Sequence, residues 1–214
     1  MFEHFAFCFK LSSSTLNFLP LSLMNYKSLK PMFDYLLIFI FLLPILLMTF
    51  LILLGYVIQG QFPILFSQPR VGKNGKPFIM HKFRTLSTDT TQSLTARRFS
   101  WGNFLRVTNL DELPQLWNVL RGEMSLVGPR PLPVEYANLF SAEQNKRHQA
   151  LPGLTGLAQV SGKNDLPWPE KFKCDLEYIN RYSLWLDLTI LFKTFLLALS
   201  FKQDTSLNEE KFPG

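Results

Sequence analysis

The sequence predicts a small, irregular α/β domain that attaches to a membrane through a re-entrant N-terminal helix and amphipathic interfacial helices. Three features lead to this fold class. Residues 35–58 are almost entirely hydrocarbon in character, the hairpin signal Asn74-Gly75 follows them, and helical periodicity of apolar residues begins near Leu113. The composition agrees, because 47% of the 214 residues are hydrophobic and only 18% are charged, against about a quarter in an ordinary soluble domain.

Charge and cysteine content limit the function classes. The formal net charge is +6, and the segment after position 60, with 19 basic and 14 acidic residues, is itself positive. A positive surface suits phosphates or anionic lipid headgroups. We expect no nucleic-acid partner, because zinc-finger, RNP and basic-helix patterns are absent. Cys8 and Cys174 are too far apart for a zinc or disulfide framework, which favours a reducing compartment.

The long apolar stretch is the candidate membrane segment. Tyr35 to Ile58 is 24 residues without a charge, enough to span a bilayer, and Pro44 interrupts any helix built from it. One kinked spanning helix and a helix that bends back to the same side both fit this pattern. Basic residues stand on both flanks, namely Lys27 and Lys30 before the stretch and Arg70, Lys73 and Lys76 after it. Because positive flanks stay on the cytosolic side, the sequence favours re-entry with a break at Pro44.

Composition divides the chain into four regions. Residues 1–30 lack the basic start, compact apolar core and small-residue cleavage site of a signal peptide, so they form an N-terminal extension. Met24 is a more economical start for an anchored protein, and we hypothesise that the first 23 residues are an over-extended or poorly ordered start. Residues 31–60 form the membrane helix, residues 61–202 a cytosolic domain with interfacial helices, and residues 203–214 a polar tail.

The cytosolic domain begins with a predicted hairpin. Two short strands flank Asn74-Gly75, and a Ser/Thr-rich loop covers residues 85–96. A helix then starts within residues 109–112 and stops at Gly122. One face of that helix is apolar, with Leu113, Leu116, Trp117 and Leu120.

The remaining elements are shorter or more apolar. Residues 142–149 are predicted to form a helix, and residues 152–156 a turn. Near the C-terminus, Ser183, Asp187 and Thr194 fall on one side of a helix whose other positions are apolar. This pattern is typical of an interfacial helix.

Asp111 and Glu112 are the first candidate catalytic pair. Adjacent carboxylates at a helix start have an ordinary structural interpretation, because an acidic first turn complements the helix dipole. They also have a chemical interpretation, because two carboxylates near a membrane suit a divalent cation or a nucleophile with a base. The dyad alone does not decide between the two.

Basic residues around this pair are candidates for phosphate binding. Lys82 and Arg84 are two apart in a predicted strand and therefore point to one face, although edge strands also carry Lys to discourage aggregation. Arg106 precedes the dyad by five residues, and prolines on both sides of Arg130 would fix its guanidinium for bidentate contact. His148 follows two basic residues and is either a surface residue or a phosphate contact.

Taken in order, the motifs identify a family resemblance. The Pro-broken apolar hairpin is followed, in order, by QPRVGKNGKPF, HKFRTL, LRVTNLDELPQLWNVLRGEMSLVGPRP, RHQALPGLTGLAQVSGKND and a LDLTIL tail. This set resembles the bacterial sugar transferases, and more closely their small monotopic phosphoglycosyl transferases. The similarity covers roughly residues 30–201.

The resemblance implies a reaction and a set of roles. It implies transfer of a phosphosugar from a UDP-sugar to undecaprenyl (polyprenyl) phosphate, with release of UMP. Asp111 would be the nucleophile, forming a covalent aspartyl-phosphosugar, and Glu112 would assist the acceptor and bind Mg2+ with Asp111. Residues 61–202 would be the catalytic domain, and the substrate-binding side chains would be Lys82, Arg84, Arg106, Arg130, His148 and Gln159. Pro44 would correspond to the break in the family's membrane helix.

Some positions depart from the family pattern. Leu43 stands where Ser commonly precedes the proline, Asn109 replaces a frequent Ser but is able to cap a helix, and Lys163 replaces a frequent Arg. Lys30 and Asp34 keep the typical basic and acidic residues at the membrane entry. None of these departures removes a proposed chemical group.

The resemblance also implies a location and partners. The enzyme would lie at the cytosolic face of the bacterial inner membrane, contact membrane lipid and start a surface glycan such as a capsule or O-antigen, with downstream glycosyltransferases as partners. A non-catalytic membrane scaffold for glycan assembly is the alternative function, and an anionic-lipid-binding module is a third. The sequence identifies neither the sugar, the glycan pathway nor the oligomeric state.

Overall fold

The computed structural model describes residues 23–162, 165–199 and 212–213, and in these residues helices surround two small sheets. The elements follow in this order: α1 Leu23–Ile40, α2 Leu42–Gln59, β1 Leu65–Val71, β2 Pro77–Phe83, α3 Ser100–Val107, α4 Gln115–Leu120, β3 Ser125–Val127, α5 Ala142–Asn145, β4 Gly153–Thr155, α6 Leu157–Ser161, α7 Trp168–Arg181 and α8 Leu184–Leu199. This mixture agrees with the predicted α/β class. Most of the predicted N-terminal extension and polar tail lies outside the described residues, as does Lys163.

The apolar stretch folds as two helices that meet at Phe41. Phe41 has φ −96° and ψ 12° and separates α1 from α2, so the predicted break at Pro44 is displaced to a residue one helical turn earlier. The reason is the chemistry of proline, whose ring crowds the carbonyl four residues before it, here that of Ile40. Pro44 itself fits the first turn of α2, where backbone N–H groups have no partner within the helix.

Among the described helices, α2 is the one long and apolar enough to cross a membrane. Only 11% of its residues are buried, and Leu43 and Ile58 are 78% and 75% exposed. A continuous exposed hydrocarbon surface of this length needs apolar surroundings. The helix therefore supports a membrane-associated domain.

The predicted hairpin is confirmed. β1 and β2 pair antiparallel from Leu65 opposite Phe83 to Val71 opposite Pro77. A 3-10 turn, Lys73–Gly75, connects them, with Asn74 at φ 56° and Gly75 at φ 75°. These left-handed values are the ones that Asn and Gly tolerate best.

The helix predicted after residue 109 forms in two parts, the 3-10 turn Leu110–Glu112 and α4, and ends before Gly122 at φ 72°. Its apolar face is divided, since Trp117 and Leu120 are 58% and 47% exposed, whereas Leu116 and Leu113 pack against buried clusters. The buried residues of α4 are Gln115, Asn118 and Val119. The exposed apolar residues of α4 suit contact with lipid, although two of its polar residues are buried.

Residues 152–156, predicted to be a turn, contain the strand β4. It pairs in parallel with β3, Ser125 opposite Gly153 and Val127 opposite Thr155. The turn prediction is wrong because the glycines that suggested it allow close backbone approach. A Cβ on Gly153 would collide with the backbone of Gly128.

Helices α7 and α8 cover this strand pair and form the main core with it. The polar side of α8 faces inward: buried Asp187 pairs with Lys30 and accepts a hydrogen bond from Tyr26 Oη at 2.6 Å, and Thr194 Oγ1 lies 2.7 Å from Thr155 Oγ1. The outward residues are apolar, among them Trp185, Phe192 and Phe195. The predicted interfacial helix thus directs its polar stripe into the protein, an arrangement that suits a helix whose outer face meets lipid.

A separate aromatic cluster lies beside α7. The ring of Phe212 packs against Tyr136, Phe140, Trp168 and Phe172 with centroid distances of 5.2 to 5.8 Å. Its backbone N–H donates to Tyr136 Oη at 3.4 Å. The cluster joins α7 to the 3-10 turn Val134–Leu139, which follows residues 128–133, here called the Arg130 loop.

Candidate active site

The two candidate catalytic carboxylates lie in a tight turn between α3 and α4. Asn109 adopts φ 57° and leads into the 3-10 turn Leu110–Glu112, after which Pro114 begins α4 at φ −60°. Asn109 makes no side-chain cap, so its contribution is the left-handed backbone that asparagine tolerates better than most residues. Asp111 is buried, 8% exposed.

Two cations converge on Glu112. Lys82 Nζ lies 2.5 Å from Glu112 Oε1, and Arg130 Nη1 lies 4.0 Å from the same oxygen. The Lys82 and Arg130 side chains remain 18% and 39% exposed, so both are reachable from solvent. Strand β2, the dyad turn and the loop after β3 therefore bring positive charge next to a carboxylate pair, an arrangement suited to a diphosphate.

The dyad turn is joined to the apolar helix α2. Ile52 and Tyr56 of α2 pack with Phe83 and Leu105, and Leu110 and Leu113 on either side of the dyad pack against the same cluster. Tyr56 Oη donates to the Arg84 carbonyl at 2.6 Å, and Trp101 Nε1 donates to the Ile52 carbonyl at 3.2 Å. The carboxylates are thus held at a fixed position relative to α2.

The Arg130 loop is held by backbone contacts with β4. Gly128 N–H donates to the Thr155 carbonyl, and Gly153 N–H donates to the Pro129 carbonyl, both at 2.9 Å. Prolines on both sides of Arg130 restrict its backbone further. The backbone of the loop is therefore fixed, and the fixed presentation of the Arg130 guanidinium stays a prediction.

Arg70, which by its position in the sequence is only a basic residue flanking the apolar stretch, joins Lys82 and Arg130 in a cationic cluster beside Glu112. It lies opposite Phe78, on the hairpin face that carries Lys82, and Nη1 donates to the Pro131 carbonyl at 3.3 Å. Burial lowers the pKa of Arg70 to about 10, and the charge of Arg130 contributes. It remains cationic at neutral pH and adds to the positive potential.

The predicted clamp of Lys82 and Arg84 does not form. Arg84 is buried, with Nε donating to the Pro63 carbonyl at 2.5 Å and Nη1 to the Leu86 carbonyl at 2.9 Å. The alternation that would place both side chains on one face stops because β2 ends at Phe83. Arg84 therefore fixes the link between α2 and the hairpin.

Arg106 is directed at the residue that follows Arg84. Its Nε and Nη2 approach Thr85 Oγ1 at 3.1 Å and 2.5 Å. This contact orients the guanidinium on α3, five residues before Asp111.

His148 and Gln159, the other predicted substrate contacts, lie beside the Arg130 loop. Burial, followed by the charge of Arg147, lowers the pKa of His148 to about 4, so its imidazole is neutral at pH 7. Its Nε2 and both amide atoms of Gln159 are buried without a hydrogen-bond partner in the described part of the chain. His148 therefore meets any ligand as a neutral group, not as a cation.

The residues present fit magnesium only together with substrate. In the described residues no cluster of three His, Cys, Asp or Glu side chains exists, so a complete protein cage is absent there. Asp111 and Glu112 offer carboxylate oxygens, and Mg2+ is commonly held by one or two carboxylates plus substrate phosphates. The dyad meets that requirement.

Comparison with known proteins supplies a family. The model of the bacterial sugar transferase family matches residues 25–201. The uncharacterized sugar transferase EpsL of Bacillus subtilis is 41% identical over 160 residues, which cover 71% of this chain and 79% of that protein.

Two relatives have names that state a reaction. The undecaprenyl-phosphate glucose phosphotransferase of Komagataeibacter xylinus is 42% identical, over 67% of this chain and 31% of its own length. The undecaprenyl-phosphate galactose phosphotransferase of Salmonella typhimurium is 38% identical, over 64% of this chain and 33% of its own length. The chain thus spans about a third of these two longer proteins.

Proposed function

This chain belongs to the bacterial sugar transferase family, a family of transferases, and we propose that it moves a phosphosugar from a UDP-sugar to undecaprenyl phosphate. The products are UMP and an undecaprenyl-diphosphate-linked sugar. The names of the relatives support the donor and acceptor classes. The observation that carries the proposal is the approach of Lys82 and Arg130 to Glu112, beside Asp111, in a turn packed on α2.

The reaction proceeds in two displacements at one phosphorus. A carboxylate oxygen of Asp111 attacks the phosphorus that bears the sugar, the bond from that phosphorus to the UMP oxygen breaks, and UMP leaves. An oxygen of undecaprenyl phosphate then attacks the same phosphorus and releases the Asp111 carboxylate. Covalent catalysis of this kind divides one difficult transfer into two easier steps.

The cations stabilise the charge that develops during both displacements. Lys82 and Arg130 come from different elements and already lie next to Glu112 before substrate binds, and Arg70 interacts electrostatically with the same carboxylate. Fixed positive groups of this kind need no reorganisation during the reaction, which is the main advantage of a preformed site. Glu112 orients the acceptor phosphate through the same cations.

Asp111 and Glu112 are also the residues that would hold Mg2+ with the donor diphosphate. When bound, the ion neutralises phosphate oxygens and favours departure of UMP. Removal of divalent cations with EDTA is therefore expected to stop UMP release.

The membrane attachment fits these substrates. A polyprenyl phosphate keeps its head group at the bilayer surface, whereas a nucleotide sugar is dissolved in the cytosol. We propose that α1 and α2 form a re-entrant hairpin at the cytosolic face of the inner membrane, and exposed α2 and the apolar face of α8 support this position. The product would begin a surface glycan such as a capsule or O-antigen.

The test is UMP release by the full chain in detergent with undecaprenyl phosphate, Mg2+ and a panel of UDP-sugars. We expect release with one donor and none with Asp111→Asn, which removes the nucleophilic charge at similar volume. If the folded wild-type chain releases no UMP from any of the UDP-sugars tested, the non-catalytic scaffold is favoured. Asp89→Asn, in an exposed loop, is the matched control and should retain activity.

A further inference from the structure

We propose that the buried ion pair of Arg147 and Asp175 is a positioning device for Arg130, which it holds by the main chain. The inference rests on the proposed function for its catalytic consequence but not for its geometry. Arg147 and Asp175 do not touch the dyad, and neither belongs to the predicted site.

The pair is buried, and two hydrogen bonds from the Arg147 guanidinium fix its geometry. Arg147 Nε and Nη2 donate to Asp175 Oδ2 at 2.9 Å and 2.7 Å, and both residues are 3% exposed. A buried ion pair is costly to desolvate, and replacement by apolar residues is often neutral or stabilising. Stability alone is therefore a weak reason for such a pair, and a specific structural task is a better one.

That task is visible at the remaining hydrogen bond of Arg147. Its Nη2 also donates to the Arg130 carbonyl at 2.7 Å. Arg70 donates to the next carbonyl, that of Pro131, at 3.3 Å. Two guanidiniums from distant parts of the chain thus bind consecutive peptide carbonyls of one short loop.

The supports of Arg147 come from a helix remote from the dyad. Asp175 lies on α7, and the guanidinium of Arg147 lies over the ring of Phe172 on the same helix, 5.6 Å from its centroid. The chain of contacts runs from α7 through Arg147 to the Arg130 backbone, and from the Arg130 side chain to Glu112 at 4.0 Å. Arg147 therefore acts through Arg130 and is a positioning residue.

The substitution Arg147→Lys distinguishes the effect of the positive charge from the effect of the guanidinium's hydrogen-bonding geometry. It keeps the positive charge opposite Asp175 but lacks the planar fork that reaches both the carboxylate and a carbonyl. We expect Arg147→Lys to lower kcat/KM for the UDP-sugar roughly tenfold. The matched control is Arg181→Lys, at an exposed ion pair with Glu177 on α7, and it should match the wild type.

A double-mutant cycle distinguishes positioning from general damage. In an Arg130→Ala background the guanidinium that Arg147 positions is gone, so Arg147→Lys should cost no more than about twofold. An equal loss in both backgrounds would overturn the proposal. Thermal unfolding of each variant identifies any that fail to fold. If Arg147→Lys fails to fold, Asp175→Asn, which keeps the shape of the carboxyl group, replaces it in the cycle.

Hydrogen exchange tests the geometry without turnover. Because Pro129, Pro131 and Pro133 have no amide, the segment 128–134 reports through Gly128, Arg130, Leu132 and Val134. We expect faster exchange of this segment in Arg147→Lys and unchanged exchange in Arg181→Lys. Unchanged exchange in Arg147→Lys would overturn the positioning role. If the wild type releases no UMP from any UDP-sugar, the proposed function fails. The hydrogen-exchange comparison still decides whether Arg147 positions the Arg130 backbone.

Discussion

Asp111 and Glu112 are neighbours in the sequence but have different surroundings. Asp111 is buried at 8% exposure, whereas Glu112 faces the cations Lys82 and Arg130. Under the proposed function Asp111 is the nucleophile and Glu112 is the group that organises charge. The dyad alone left an ordinary structural interpretation open, and the family resemblance, carried by the ordered set of motifs, selected both residues. It gave no information about which of them meets Lys82.

His148 gives a prediction about pH and stability. Its pKa falls from 6.5 to about 4 in the folded protein, chiefly through burial, so below pH 6.5 the unfolded state binds the proton more readily. The stability contribution is complete above pH 6.5 and is lost as the pH falls toward about 4. We expect the decrease in Tm between about pH 7 and about pH 5 to be smaller in His148→Gln than in the wild type.

The control for this measurement is His81→Gln. It removes an imidazole from the outer face of the hairpin, where Nδ1 lies 2.9 Å from Ser67 Oγ. The control should keep the wild-type decrease in Tm. An equal decrease in wild type and His148→Gln would show that His148 does not contribute to acid lability.

Among the elements, β2 and α4 must keep a fixed register for Lys82 to reach Glu112. Asn118 of α4 provides it: Nδ2 donates to the Ile79 carbonyl at 2.7 Å, and Oδ1 accepts the His81 N–H at 3.3 Å. Asn118 is completely buried. A single amide thus completes the hydrogen bonds at the edge of β2.

Truncation of this amide should be costly. Asn118→Ala leaves a carbonyl and an N–H of β2 buried without partners, and we expect a loss of about 2 kcal/mol in the free energy of unfolding. Denaturant unfolding measures this loss, with Asn103→Ala on the exposed side of α3 as the control. A loss no greater than in the control would mean that water replaces the amide.

Register also explains what the sequence left undetermined. A two-residue loop at Asn74-Gly75 would pair Arg70 with Ile79, but the observed three-residue turn pairs it with Phe78. A shift of one residue turns a side chain to the other face, so membership of Arg70 in the cationic cluster was not predictable. The role of Arg147 was not predictable from the sequence either, because its partner Asp175 is 28 residues away and no local pattern connects the two.

At the scale of the whole molecule, two helices present apolar surface and direct their polar residues inward. Exposed Trp117 on α4 and Trp185 on α8 accompany buried Asn118 and Asp187. The sequence predicted amphipathic helices correctly, but periodicity does not say which face points to the core. In the proposed membrane-bound state lipid provides the apolar environment for the outward faces.

The proposed re-entrant topology predicts that both flanks of the hairpin lie on one side of the membrane. Single cysteines at Ser28→Cys and Lys73→Cys, in a chain with Cys8 and Cys174 replaced by Ser, should both react with a membrane-impermeant maleimide from the cytosolic side. Ala142→Cys, exposed in the globular domain, marks that side. Labelling of Ser28→Cys only from the opposite side would establish a spanning helix.

The most direct test of the account is UMP release in a single turnover without undecaprenyl phosphate. If Asp111 is the nucleophile, the chain with its UDP-sugar donor should release up to one UMP per protein, leave the phosphosugar on the peptide that contains Asp111, and resume turnover when acceptor is added. Asp111→Asn should release none. Steady turnover with acceptor but no UMP release and no adduct without it would contradict the covalent mechanism and indicate direct transfer between donor and acceptor.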